Sequence, residues 1–169
     1  MKAVVLAEKP SVARDIARVL KCNKKIDGAL EGEKYIVTWA LGHLVTLADP
    51  ESYDNKYKEW KMEYLPMLPE KFQLEVIKQS GKQYHAVKKQ LYRKDVNEVV
   101  IATDAGREGE LVARFILEKA NCKVIAIDRD PSVINRVNEL KEIYGERFDF
   151  RAGTFGEIED LIDTPVHGV

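Results

Sequence analysis

The chain has 169 residues, the length of about one ordinary domain. Hydrophobic residues make up 45% and charged residues 33%, so the composition predicts a folded core and excludes a disordered chain. The 27 basic and 28 acidic side chains give a net charge of -1, which argues against a nucleic-acid binder that works by bulk charge. Two cysteines without a CxxC pair indicate neither a zinc site nor a disulfide framework.

The hydropathy of the sequence predicts no membrane-spanning segment. No apolar run approaches the roughly 20 residues that a membrane-spanning helix needs, and the first residues lack the pattern of a signal peptide. We therefore expect a cytoplasmic monomer that does not contact a membrane.

The first part of the chain alternates between strand and helix patterns. Residues 2–7 predict a strand buried on both faces, which is typical of a parallel sheet. A helix follows from Pro10, a residue that suits a first helical turn. Its apolar positions recur at helical spacing: Val12, Ile16, Val19 and Leu20. Residues 23–32 then predict a turn or hairpin, and residues 35–40 predict the second strand.

The middle of the chain is less regular. Residues 48–69 sustain no period and contain several prolines and aromatic residues, which predicts a long connection. Such a connection either binds a partner or attaches to the core through its aromatic side chains, and the sequence leaves both open. Residues 73–77 predict a short strand, and residues 82–92 predict a helix whose basic face either meets phosphate or is simply solvated.

The rest of the chain continues the alternation of strands and helices. The predicted elements are a buried strand at 99–102, a helix at 108–120, a strand at 123–127, a helix from Pro131, a strand at 148–151 and a helix at 156–161. This order predicts an α/β fold, a three-layer sandwich around a mostly parallel sheet, in one domain over residues 1–169.

Acidic and basic side chains occur together after two of the predicted strands. Glu8 and Lys9 follow the first strand, and Asp104, Arg107 and Glu108 follow the strand that ends at residue 102. Ligands of parallel sheets bind at the carboxyl ends of the strands, so adjacent strands would bring the acids to one Mg²⁺ ion, which prefers oxygen ligands. Each acid alone is also explained as a helix-start residue favoured by the helix dipole. The repeated pairing of acid with base favours the metal site.

Four motifs in this order resemble the Toprim domain of type IA DNA topoisomerases, most of all the bacterial topoisomerase III subfamily. The motifs are Glu-Lys-Pro-Ser at 8–11, Trp-Ala-Leu-Gly-His-Leu at 39–44, Ala-Asp-Pro at 48–50 and Ala-Thr-Asp-Ala-Gly-Arg-Glu-Gly-Glu at 102–110. The resemblance covers residues 1–120. It implies DNA as the partner of the parent family, and for this chain alone we expect weak DNA binding or none.

The resemblance also implies roles for individual residues. Glu8 would exchange a proton with the ribose 3′-oxygen at the cleaved phosphodiester, and Lys9 would steady the scissile phosphate. Glu8, Asp104 and Glu108 would form the metal site, with Arg107 near the DNA backbone.

This sequence departs from the family pattern in two ways. The usual second aspartate is replaced by Gly106, so we expect a single, weakly bound ion rather than a two-metal site. Type IA enzymes cut DNA with a tyrosine from a later domain, and none of the seven tyrosines here matches a nucleophile motif. We therefore expect no complete topoisomerase activity from this chain alone.

Residues 121–169 resemble a different family, the Rossmann-type S-adenosylmethionine-dependent methyltransferases that modify cytosine N4 in ribosomal RNA. The resemblance is carried by residues 124–131 and 148–155, and it implies that Asp128 binds the cofactor's ribose hydroxyls. Asp128 is equally explained as a strand end. Acids occupy residues 104–110, where the family has a glycine-rich loop, so we expect no methyl transfer and weak or no cofactor binding. Two parents that meet near residue 121 indicate an engineered chimera rather than a natural sequence that diverges in its last third. The alternatives to a Mg²⁺-binding Toprim module are a methyltransferase remnant that binds S-adenosylmethionine and a purely structural hybrid without a ligand.

Overall fold

A computed structural model of the chain describes residues 1–104, 106–122, 124–128, 137–139, 141–142 and 145–152. The predicted helix at 156–161 lies outside these residues, and only parts of the predicted helix from Pro131 lie within them. No helix in the described part of the chain is long and apolar enough to cross a membrane.

The elements with defined bounds are nine strands and three α-helices, and residues 137–139 and 141–142 are also helical. The strands are β1 (Lys2–Ala7), β2 (Lys24–Ile26), β3 (Ala29–Glu31), β4 (Tyr35–Trp39), β5 (Val45–Leu47), β6 (Leu74–Val76), β7 (Val96–Ala102), β8 (Val124–Asp128) and β9 (Phe148–Ala152). The helices are α1 (Pro10–Val19), α2 (Gly81–Leu91) and α3 (Arg107–Ala120). The predicted hairpin, the short strand β6 and the helices α2 and α3 are confirmed.

The main sheet has five strands in the order β2-β3-β4-β1-β7. β1 pairs in parallel with both β4 and β7, whereas β3 pairs antiparallel with β2 and β4. The sheet is therefore mixed, and the expectation of a mostly parallel sheet holds only for its β4-β1-β7 part. Two further pairs form separate two-stranded sheets, β5 with β6 and β8 with β9.

Helices cover both faces of the main sheet. Val4 and Leu6 of β1 point to one face and join a core cluster with α2 and α3. Val5 and Ala7 point to the other face and pack with Ala13 of α1. This alternation is the period of two expected for a strand buried on both faces. The three-layer α/β architecture is confirmed.

The buried side of α1 differs from the predicted one. Ala13 and Ala17 are its buried residues, while Val19 is 74% exposed and Val12 is also exposed. Of the predicted positions, Ile16 and Leu20 do pack against the core, whereas Val12 and Val19 do not. Small alanine side chains let a helix approach a sheet closely, so they occupy the centre of the contact and larger residues lie at its sides.

The prediction that residues 99–102 form a buried strand is wrong. Val99, Val100 and Ile101 are 36%, 37% and 43% exposed, respectively. In the described part of the chain, β7 is an edge strand that pairs only with β1, because β8 pairs with β9 instead. The strand itself is present as part of β7, but an apolar run does not distinguish a central strand from an edge strand, because both can carry such residues.

The long connection at 48–69 contains short 3₁₀ turns and no α-helix or strand. The hydroxyl of Tyr53 accepts a hydrogen bond from the backbone N–H of Gln73 at 2.7 Å, and Tyr57 meets Tyr64 edge to face. Trp60, by contrast, is 81% exposed. Some of the aromatic side chains thus attach the connection to its surroundings, and Trp60 does not.

A charged cluster ties the starts of the parallel strands together. The buried carboxylate of Glu31 accepts hydrogen bonds from Lys2 at 2.7 Å, Lys24 at 3.1 Å and Arg93 at 2.7 Å. Arg93 also pairs with Asp95, just before β7. The hydrogen bond from Lys2, followed by those from the other cations, lowers the pKa of Glu31 from 4.5 to about 2.

Glu31→Gln should destabilise the fold by about 2 kcal/mol at neutral pH, because it leaves the partly buried Lys2 and Arg93 without their charged acceptor. The folded-state pKa lies below the unfolded one, so this contribution is present above pH 4.5 and is lost as the pH falls towards about 2. Urea denaturation of the wild-type and Glu31→Gln proteins over this pH range measures the difference in their free energies of unfolding. Glu33→Gln, an exposed neighbour, is the control. A difference that is constant with pH would contradict the assignment.

Candidate functional site

The carboxyl ends of three neighbouring parallel strands lie at one edge of the main sheet. Ala7 of β1 is in register with Trp39 of β4 and with Ala102 of β7. The backbone N–H of Ala40 donates to the carbonyl of Ala7 at 2.8 Å, which continues the pairing past β4. The residues that follow these strands therefore emerge side by side, at the place where parallel sheets bind ligands.

The structure brings Glu8, Lys9 and Asp104 together at this edge. The backbone N–H of Asp104 donates to Oε2 of Glu8 at 3.3 Å. Nζ of Lys9 lies 3.9 Å from Oδ2 of Asp104, and their side chains are 57% and 68% exposed. Such an open ion pair contributes between about 0 and 1 kcal/mol. The charges are therefore left accessible to a ligand.

Glu108 lies in the first turn of α3, where the helix dipole favours an acid. Its side chain is 82% exposed, and its Oε2 lies 3.3 Å from Nε2 of His43. No group of three or more His, Cys, Asp or Glu side chains within the described ranges is close enough to hold a metal ion. The predicted metal residues thus form two separate contacts, the Glu8 side chain with the backbone of Asp104 and the Glu108 side chain with His43.

His43 is a residue that the sequence reading did not place in the site. It follows β4, after Gly42, whose φ of +77° lies in the left-handed region that favours glycine. The signal was present in the Gly-His-Leu motif. Because β4 pairs in parallel with β1, the residues that follow β4, His43 among them, reach the same edge of the sheet as Glu8.

The absence of a side chain at Gly109 sets the position of Asp104. A Cβ on Gly109 would lie 2.1 Å from the carbonyl oxygen of Asp104 and 2.8 Å from its nitrogen. Only glycine therefore lets the first turn of α3 pack directly on this backbone. The N–H of Gly106 donates to the same carbonyl at 2.8 Å.

The other predicted site residues lie apart from these contacts or are not described in full. Arg107 is exposed and is the first residue of α3. Asp128 is the last residue of β8, in register with Ala152 of β9, and its side chain lies outside the described residues. Residue 105 lies outside them as well.

The donor set at the edge of the sheet fits Mg²⁺. The available ligands are carboxylate oxygens, and Gly106 adds no side chain where a further acid would stand. Mg²⁺ keeps several of its waters and commonly takes only one or two protein carboxylates. The Glu8 side chain lies against the backbone of Asp104, and Glu108 lies in its own contact with His43, so the edge offers separate carboxylates rather than a closed cage.

Comparison with known proteins identifies the family. The model of the Toprim domain matches residues 3–137. This chain belongs to the Toprim family. It is 77% identical over 118 residues to a protein from Bacillus thuringiensis named DNA topoisomerase 3, a match that covers 70% of this chain and 16% of the relative.

Two other relatives carry the name DNA topoisomerase 3. The Bacillus subtilis protein is 70% identical over 122 residues, which cover 72% of this Toprim chain and 17% of the relative. The Bacillus licheniformis protein is 71% identical over 119 residues, which cover 70% of the chain and 16% of the relative. The aligned part of the chain thus spans only about one sixth of these relatives.

Gly109→Ala should destabilise the protein by about 1–3 kcal/mol, because the added methyl group overlaps the backbone of Asp104. It should also shift the amide resonance of Asp104, since helix and strand end must separate. Gly106→Ala is the matched control, because its Cβ would meet no atom within 4 Å and its φ of -158° suits any residue. Thermal denaturation and amide spectra test both variants. Equal stabilities would contradict the packing role of Gly109.

Proposed function

We propose that this chain is the Mg²⁺-binding module of a topoisomerase 3-type protein that breaks and rejoins a DNA strand. The observation that carries the proposal is the contact between Glu8 and Asp104 at the aligned ends of β1 and β7. The membership in the Toprim family and the names of the relatives support it.

Glu8, Asp104 and Glu108 would hold the ion. When bound, Mg²⁺ neutralises phosphate charge at the reacting phosphodiester. In its absence the carboxylates repel one another, and Lys9 offsets part of that repulsion through its contact with Asp104. Few protein ligands and high exposure favour weak, readily exchanging binding.

Glu8 is the proposed general acid and base. Its half-buried carboxyl group would give a proton to the ribose 3′-oxygen as the strand is cut and take it back as the strand is rejoined. The backbone N–H of Asp104 holds Oε2 of Glu8, which leaves Oε1 for this exchange. Lys9 and Arg107, both exposed, would contact phosphate oxygens and thereby position the strand.

Titration with Mg²⁺ should shift the amide resonances of Glu8, Asp104 and Glu108 at millimolar metal, with few changes elsewhere. The combined variant Glu8→Gln, Asp104→Asn and Glu108→Gln should lose these shifts. Its stability without metal should be unchanged or raised, because carboxylate repulsion is relieved. The control variant neutralises three exposed acids elsewhere: Glu33→Gln, Glu51→Gln and Glu63→Gln.

The same samples test the contact with DNA. A short single-stranded oligonucleotide should shift the amide resonances of Lys9 and Arg107, and added salt should weaken this binding.

If the wild-type protein shows no localised shift at millimolar Mg²⁺, the proposed function is wrong. Shifts that persist in the triple variant would show that Mg²⁺ binds to residues other than Glu8, Asp104 and Glu108.

We propose a second, structural role for residues 121–169, within a single domain over residues 1–169. In this view they form a methyltransferase-like fragment, joined to the Toprim part in a chimera, that completes the scaffold without a ligand of its own. The parallel pairing of β8 with β9 is compatible with a Rossmann-type fragment, as it is with any α/β fold. The Toprim match runs on to residue 137 and so overlaps the junction near residue 121, which weighs against a sharp boundary there.

Calorimetry with S-adenosylmethionine should give only the heat of dilution, because acids occupy residues 104–110 where a cofactor-binding loop would need glycine. Asp128→Ala should therefore change nothing in this assay. Binding heat that disappears in Asp128→Ala, but not in the control Asp15→Ala, would instead reveal a cofactor-binding remnant.

A further inference from the structure

We propose that His43 is a positioning residue for Glu108. The Nε2–H of His43 would donate to Oε2 of Glu108, whose other oxygen is then available to a metal ion. The inference rests on the proposed Mg²⁺-binding function and extends it to a residue outside the metal set. The observation behind it is the 3.3 Å distance between the two atoms, on residues 65 positions apart in sequence.

The contact connects the two strands that flank β1. His43 follows β4, whereas Glu108 follows β7 in the first turn of α3. Because neighbouring strands are about 4.8 Å apart, the ends of β4 and β7 are separated by about 10 Å. The contact between His43 and Glu108 spans this gap, and β1, which Glu8 follows, lies between β4 and β7.

His43 is the more fixed of the two partners. Gly42 before it has a left-handed backbone, and Leu44 after it is fully buried. The carbonyl of Leu44 also accepts a hydrogen bond from the N–H of Ile77 at 2.9 Å. The side chain of His43 is 38% exposed, against 82% for Glu108. The anchored ring can therefore hold a carboxylate that would otherwise sample many rotamers.

Holding Glu108 lowers the conformational entropy that it loses when it binds an ion. In the neutral imidazole one ring nitrogen carries a proton, so Nε2 can be the donor to the carboxylate. Partners in the outer shell of a metal site act in this way, and their loss commonly weakens metal binding by about 10-fold to 100-fold. The exposure of this pair favours the lower end of that range.

Isothermal titration calorimetry with Mg²⁺ tests the role of His43. His43→Ala should raise the dissociation constant about 10-fold. His43→Gln should restore most of the affinity, because its amide nitrogen can replace Nε2 as a donor. His85→Ala is the control, since His85 is an exposed residue of α2 that contacts Tyr84. Thermal denaturation without metal should be the same for all four proteins, which separates positioning from a structural role.

The outcomes separate the two proposals. Wild-type protein that binds no Mg²⁺ would overturn the proposed function and this inference with it. Wild-type binding with equal affinity in His43→Ala would overturn only the role of His43. Tighter binding in His43→Ala would also overturn it, because His43 would then compete with the metal for Glu108. Weaker binding in His43→Ala without rescue by His43→Gln would count against the hydrogen bond as the cause.

Discussion

The parallel alignment of β4, β1 and β7 is the constraint on which the candidate site depends. All three strands run in the same direction, and Ala7, Trp39 and Ala102 share one register position. Parallel strands deliver the residues that follow them to the same edge, whatever the distance in sequence. A backbone feature with no charge of its own thus brings the charged residues of three distant segments together.

Two glycines shape this edge of the sheet because they have no side chain. At Gly109 a missing Cβ lets α3 pack against the backbone of Asp104. At Gly42 a left-handed backbone places His43 between β4 and the buried Leu44. Both positions combine a charged or polar neighbour with a close approach or turn that other residues would strain. In the proposed function the acids carry the chemistry, and these glycines help to fix the backbone around them.

Charge is arranged differently at the two ends of β1. At the start of the strand, Glu31 is buried and hydrogen-bonded to three cations. At the other end, Lys9 and Asp104 are more than half exposed and barely within ion-pair distance. Satisfied buried groups favour stability, whereas loosely paired exposed groups can still exchange partners with a ligand. One end of β1 is therefore built for stability, and the other end carries the charges on which the proposed binding function rests.

The sequence by itself determined the elements, the three-layer fold class and the acids at the strand ends, because hydrophobic period and ordered motifs are local signals. Only the tertiary structure decided that β7 is an exposed edge strand, that alanines rather than valines line the buried side of α1, and that His43 meets Glu108. These depend on which strands become neighbours. That choice follows from long-range pairing and packing, which no local pattern of residues encodes.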